Sequence, residues 1–217
     1  MFAARPPAGQ AEGVNRPEVW LARHGETEWS RSGRHTSRTD LPLTGEGEAE
    51  GRRLAPILAS VAFDLVLASP RRRAAETAVL AGHPEAEPDP DLGEWDYGEY
   101  EGLATAAIRE AEPGWTVWTH PSPGGETADA VAARADRVIA RILAGARTRA
   151  LVVSHGHLLR VLAARWLEEP ATFGARLLLG TATLSVLGWE RETRAISLWN
   201  MRIPAGESGS GPGPPSP

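Results

Sequence analysis

Val19-Trp20-Leu21-Ala22-Arg23-His24-Gly25-Glu26-Thr27 decides the fold of this chain. Four apolar residues read as a short strand buried on both faces, and the glycine ends it. Strands of that kind belong to an α/β sheet, whose ligands bind just beyond the carboxyl ends of its parallel strands. Arg23 and His24 fall there. An imidazole at such a position can serve as base, acid, metal ligand or nucleophile. The adjacent guanidinium, a planar fork of donors, selects an oxyanion such as phosphate over a metal cation.

Two more apolar strands end the same way. Leu65-Val66-Leu67-Ala68 runs into Ser69-Pro70-Arg71-Arg72-Arg73, and Ala150-Leu151-Val152-Val153 into Ser154-His155-Gly156. A helix follows each: Ala74 to Leu80 after the arginines, and a stripe of Leu158, Leu159, Leu162, Ala163 and Trp166 after His155. Strand–helix units bring such ends to one side of a sheet. The bland alternative has the arginines paired with surface carboxylates and the histidines capping helices. Convergence instead gives one pocket with two histidines and at least two arginines, an inventory suited to a compact dianion.

Around this centre, Thr44 caps a helix whose inner stripe is Leu54, Leu58 and Val61. A longer helix starts at Glu126 and faces inward with Val131, Ala135, Val138, Ile139 and Ile142. Thr183–Trp189 and Ala195–Trp199 pair as a hairpin through Arg191 and Glu192. Trp29–Asp40 is polar and irregular, a candidate substrate loop; Gly82–Pro90 and Pro121–Gly125 are loops. Asp91–Gly102, acidic, aromatic and punctuated by glycine, reads as a surface loop. Residues 1–16 and 204–217 read as disordered arms around one domain over 17–203.

Composition narrows the function. A chain of 217 residues, 41% hydrophobic and 24% charged, suits one globular α/β domain. A net charge of -5 argues against general nucleic-acid binding. Cysteine is absent, which excludes thiol catalysis and Cys-based zinc sites. Lysine is absent too, so every phosphate-binding cation must be Arg or His. No stretch reaches the length of a membrane span, and Met1–Pro7 lacks the apolar core of a secretory signal. The expectation is a cytoplasmic protein, monomer or homodimer, acting on a small phosphorylated metabolite without cofactor or metal, and with neither nucleic acid nor membrane as partner.

The motifs together resemble those of the histidine phosphatase (phosphoglycerate mutase-like) superfamily. Arg23-His24-Gly25-Glu26-Thr27 is similar to its Arg-His-Gly signature, and Ser69–Ala78 to its Ser-Pro-x-x-Arg-Ala-x-x-Thr-Ala element. Leu92-Gly93-Glu94 resembles the segment supplying the family's acid, Pro123–Thr127 a further family element, and Ser154-His155-Gly156 the second histidine. The resemblance implies a three-layer αβα sandwich around a mostly parallel sheet. It also implies that His24 is the nucleophile and that Arg23, Arg73 and a protonated His155 neutralise the phosphoryl oxygens. Glu94 would protonate the leaving oxygen, and the N–H of Gly156, opening a helix, adds an anion contact.

The resemblance divides mutases from hydrolases. Mutases carry a lysine where this chain has Thr105, Asn in place of His157 and of Ser30, and an arginine pair in a longer insert; Glu101–Pro123 is short here. A hydrolase is expected. Glu28–Thr36, Thr39–Thr44 and Glu94–Gly98 look like bacterial broad-specificity acid phosphatases and, less closely, fungal sedoheptulose-bisphosphatases. Ser30, Thr36, Ser37, Tyr97, Gly156 and His157 are candidates for binding substrate, with His35 and Arg38 beside them. Trp115 and Trp118 read as packing residues. A catalytically silent member that only binds phosphorylated ligands is the reading from a different class.

Overall fold

A computed structural model describes residues 15–204. The expected disordered arms therefore lie almost wholly outside the described residues, apart from their inner ends. The opening stretch forms β1 (Glu18–Arg23), followed by a single helical turn, α1 (Glu28–Arg31), and by α2 (Gly45–Leu58). Then come β2 (Leu65–Ala68), α3 (Arg72–Leu80), the two-residue β3 (Glu87–Pro88) and α4 (Thr105–Ala111). The chain closes with α5 (Ala128–Gly145), β4 (Arg149–Ser154), α6 (Gly156–Trp166) and the hairpin β5 (Leu184–Glu190) and β6 (Thr193–Met201).

The six strands make one sheet in the order β3-β2-β4-β1-β5-β6. The first four are mutually parallel, and the hairpin adds antiparallel strands at one side. Alternation along each strand divides the core. Val19, Leu21, Ala150 and Val152 pack with α5 and α6, while Ala22, Leu151 and Val153 pack with Leu54 and Leu58 of α2 and Ala78 of α3. Burial on both faces explains why these strands carry unbroken apolar runs. The result is the three-layer αβα sandwich.

Pairing sets the three ligand-bearing strand ends side by side. His24 N–H donates to the Ser154 carbonyl at 2.9 Å, and Ser69 N–H to the Val153 carbonyl at 2.9 Å. The start of α2 then closes on the end of β1, with Thr44 capping the Gly47 N–H at 3.0 Å. A Cβ on Gly25 would stand 2.3 Å from the Gly47 carbonyl oxygen, so two glycines let backbone touch backbone there.

Some boundaries differ from the sequence reading. Val61 lies past the end of α2, and the long helix begins at Ala128, with Thr127 as its cap. Asp91–Gly102 is irregular as expected, but it is no surface loop: Leu92, Trp95 and Tyr97 are buried in the core beneath it. The segment turns through two short 3-10 stretches, which place its apolar side chains inward without any regular period. Among the described residues no helix is long and apolar enough to cross a membrane.

Candidate active site

At the carboxyl ends of β1 and β4 lies an open cleft. His24 occupies its floor, 5% exposed. The ring Nδ1 lies 2.7 Å from the Gly25 carbonyl, which can only accept, so the proton sits on Nδ1 and Nε2 keeps a free lone pair. Burial, then the charges of Arg23 and Arg73, push the imidazole well below its usual pKa, against the pull of the Gly25 hydrogen bond. His24 thus keeps a neutral ring with an open Nε2 lone pair below the usual imidazole range.

The other strand ends surround it. His155 is fully buried, its ring centroid 5.2 Å from that of His24. Its Nε2 meets Ser69 Oγ at 2.8 Å. Ser69 Oγ also accepts the Arg71 N–H at 3.3 Å, which ties the hydroxyl between the imidazole and the start of α3. Burial first, then Arg73, His24 and Arg23, push His155 well below its usual pKa. With no anion beside it, burial and the guanidinium groups of Arg73 and Arg23 favour the neutral ring; the protonated form expected of His155 is the one facing a bound phosphate dianion.

Arg73 alone of the three adjacent arginines is fully buried; Arg72 is exposed and pairs with Glu76 at 2.6 Å. Arg73 donates to the carbonyls of Thr39, Thr36 and Ser37 at 3.1, 3.2 and 3.4 Å. Arg23 gives one N–H to the Leu179 carbonyl at 2.6 Å and lies flat against Gly156, where a Cβ would stand 3.3 Å from its guanidinium carbon. The Nε atoms of Arg23 and Arg73 and Nδ1 of His155 are buried and have no hydrogen-bond partner among the described residues. Two guanidinium N–H groups and one imidazole nitrogen, all unpartnered beside His24, make a set that matches the oxygens of a phosphoryl group.

Glu94 also lines the cleft. Its Oε1 accepts from Trp95 N–H and Leu158 N–H, each at 2.9 Å, and its Oε2 from His157 N–H at 3.0 Å. The carboxyl group thus sits on the first turn of α6, where it pairs amides that the helix itself leaves without partners.

Of the expected substrate-side residues, Ser30, Thr36, Tyr97, Gly156 and His157 line the cleft, and His35 joins them. Ser30 and Thr27 also form a capping box that fixes α1. Ser37 does not belong: its buried hydroxyl points away, donating to Glu101 at 2.5 Å. Despite the opposing effect of burial, that bond and the N–H groups of Thr39 and Arg38 hold Glu101 down at about 2. Arg38 is exposed and ion-paired with Asp96. Tyr97 Oη meets His157 Nδ1 at 2.6 Å, and burial keeps the phenol protonated by pushing it well above its usual range. Trp115 is buried against His35, and Trp118 backs His157 with ring centroids 5.2 Å apart.

Two residues lining the cleft, Arg160 and Leu179, escaped the sequence reading. Arg160 stacks over Trp118 at 4.6 Å and donates to the Gly174 carbonyl at 2.9 Å, with no carboxylate partner among the described residues. Its signal was its place on α6, three residues after His157 and so on the same face.

A family model for the histidine phosphatase superfamily (branch 1) matches residues 19–202. An acid phosphatase of Mycobacterium tuberculosis is 42% identical over 192 residues, 87% of this chain and 95% of that one. Sedoheptulose 1,7-bisphosphatase of Saccharomyces cerevisiae is 35% identical over 182 residues, 69% of this chain and 67% of that one. The solved structure of a Mycobacterium tuberculosis open reading frame product superposes with TM-score 0.81 at 40% identity, covering 86% and 98% of the two chains. The chain belongs to the histidine phosphatase superfamily, and it is a phosphatase.

Proposed function

We propose that this chain hydrolyses phosphomonoesters as an acid phosphatase, through a phosphohistidine on Nε2 of His24. The observation that carries the reading is the state of His24: Nδ1–H is tied to the Gly25 carbonyl, and burial with two guanidinium groups keeps the ring neutral. In the first step Nε2 bonds to phosphorus and the ester P–O bond breaks, with Glu94 giving a proton to the leaving oxygen. In the second, Glu94 takes a proton from water, the water oxygen bonds to phosphorus, and the P–N bond breaks to release phosphate and neutral His24. Arg23, Arg73 and His155 hold the equatorial oxygens, the dominant contribution to phosphoryl transfer.

Two features support hydrolysis without mutase chemistry. Thr105 has its hydroxyl 3.2 Å from His35 Nε2, and Arg109, the basic residue nearest in sequence, donates to the Trp115 carbonyl at 2.8 Å. Neither supplies a cation where the mutases of the family carry theirs; the guanidinium groups lining this cleft are those of Arg23, Arg34 and Arg160. Metal-independent action is supported by Glu94, the single carboxylate lining the cleft, whose two oxygens already accept three N–H groups. A second reading, hydrolysis of sugar bisphosphates, is supported by Arg160, a cation in the cleft with no carboxylate of its own. The yeast relative carries a bisphosphatase name.

Turnover of p-nitrophenyl phosphate in EDTA tests the reading. Activity should persist well below pH 6.5, because the nucleophile protonates only below its depressed pKa. A quench into base after mixing with labelled substrate should trap phosphate on the protein. His24→Ala should stay folded, trap none and lose at least about a thousandfold in kcat. A variant that keeps most of its kcat, or activity that returns only with added divalent metal, overturns it.

A further inference from the structure

We propose that Arg134, with Glu126, is the positioning pair for the acid Glu94, a claim that rests on the proton-donor role assigned above. Arg134 stands on the second turn of α5, outside the cleft, with its side chain 14% exposed. All five of its N–H donors are engaged. Nε and Nη2 fork onto the Glu126 carboxylate at 2.8 and 2.7 Å. Nη1 reaches the carbonyls of Asp91 and Gly93 at 2.7 and 2.8 Å, and Nη2 that of Glu94 itself at 3.3 Å.

Glu126 completes the clamp from the other side. Its carboxylate accepts the Asp96 N–H at 2.9 Å, its carbonyl accepts Trp95 Nε1 at 3.0 Å, and its N–H donates to the Asp96 carbonyl at 2.9 Å. Five of the six residues from Asp91 to Asp96 are thus tied to two side chains and one peptide at the start of α5. The segment has no strand or helix ladder to hold it beyond a 3-10 turn over Pro90–Leu92. Those carbonyls and amides would otherwise be unpaired, which is costly where burial is high. A general acid must lie within hydrogen-bond reach of the leaving oxygen, so a shift of about 1 Å in this segment would damage proton donation selectively. Lysine cannot replace Arg134, since three donors on one point cannot meet five acceptors in a plane.

The test uses leaving groups. p-Nitrophenolate departs without a proton, whereas an alkoxide such as that of glycerol phosphate needs one. The readout is kcat/KM, which covers the steps through phosphoryl transfer to His24 and not the shared hydrolysis of the phosphoenzyme. Arg134→Lys and Glu126→Gln are compared with Glu94→Gln, all first shown to be folded by thermal melting; Glu126→Gln, which keeps an oxygen for the Asp96 N–H, serves if the lysine variant does not fold. The clamp predicts losses of at least about tenfold on glycerol phosphate and less than about threefold on p-nitrophenyl phosphate, a smaller copy of the Glu94→Gln pattern. Equal losses on the two esters, with Glu94→Gln still discriminating, overturn the clamp. Equal losses for Glu94→Gln itself would remove the acid assignment, and the clamp with it.

Discussion

Single side chains in this cleft are defined by what their neighbours leave them free to do. The Gly25 carbonyl accepts the hydrogen bond from His24 Nδ1–H and so leaves the Nε2 lone pair open; Ser69 pairs with Nε2 of His155 and so leaves its Nδ1 unpartnered. Arg160 is the contrasting case, a guanidinium in the cleft held by the carbonyls of Gly174 and Ala175 and by the face of Trp118. A cation so placed favours an anion at the far end of the substrate. Arg160→Ala should therefore lower kcat/KM for a sugar bisphosphate by about tenfold relative to p-nitrophenyl phosphate, the scale of one charge-assisted hydrogen bond. Parallel losses on both substrates would show that Arg160 supports the cleft without reading the substrate.

At the level of elements, the site depends on how closely α2 meets the end of β1. A Cβ on Gly47 would stand 2.1 Å from the Glu26 carbonyl oxygen, a backbone atom that cannot step aside without moving the strand end. Gly47→Ala should cost about 1–3 kcal/mol in urea unfolding and lower kcat, because the displaced strand end carries His24. Gly45→Ala, at a position with nothing within 4 Å of its Cβ, is the control and should be within about 0.5 kcal/mol of the parent. Matching values for the two would show that the contact is not tight. The sequence made β1, β2, β4 and their following helices readable, because doubly buried strands are unbroken apolar runs and Thr44 and Thr127 are capping residues. It hid α4, seven residues long with Ile108 its one buried side chain, which leaves no period to detect. It hid the burial of Leu92, Trp95 and Tyr97 as well, since an irregular segment alternates between core and cleft by its own turns. His24, the Arg71–Arg73 run and His155 were legible as strand-end chemistry, the choice of Arg73 within the run came from the family resemblance, and Ser37 was misplaced because a loop's sequence does not tell which hydroxyl faces in.

Across the whole molecule, the cost of keeping four imidazoles neutral should be visible as a pH dependence of stability. His24, His155 and His157 are pushed well below their usual pKa by burial first and by neighbouring guanidinium groups second, and burial lowers His35 to about 4. In the unfolded chain all four titrate near 6.5. Above about pH 7.5 both states hold neutral rings, and these groups add no slope. As pH falls through about 6.5 the unfolded chain binds protons that the folded one refuses, so stability falls with pH at up to about 1.4 kcal/mol per unit for each histidine. Glu101 adds to the loss lower down, because its folded pKa of about 2 makes its contribution disappear once pH drops below the usual carboxylate range. The desolvation that keeps His24 neutral in acid thus also lets acid unfold the protein. The melting temperature should decline steadily from pH 7.5 to pH 5, and inorganic phosphate should raise it by binding only the folded state. His35→Phe, which removes one of the four rings from an aromatic setting, should flatten the decline by about a quarter. A melting temperature that stays level across that range would show that the buried imidazoles are protonated in the folded protein, and with them the nucleophile.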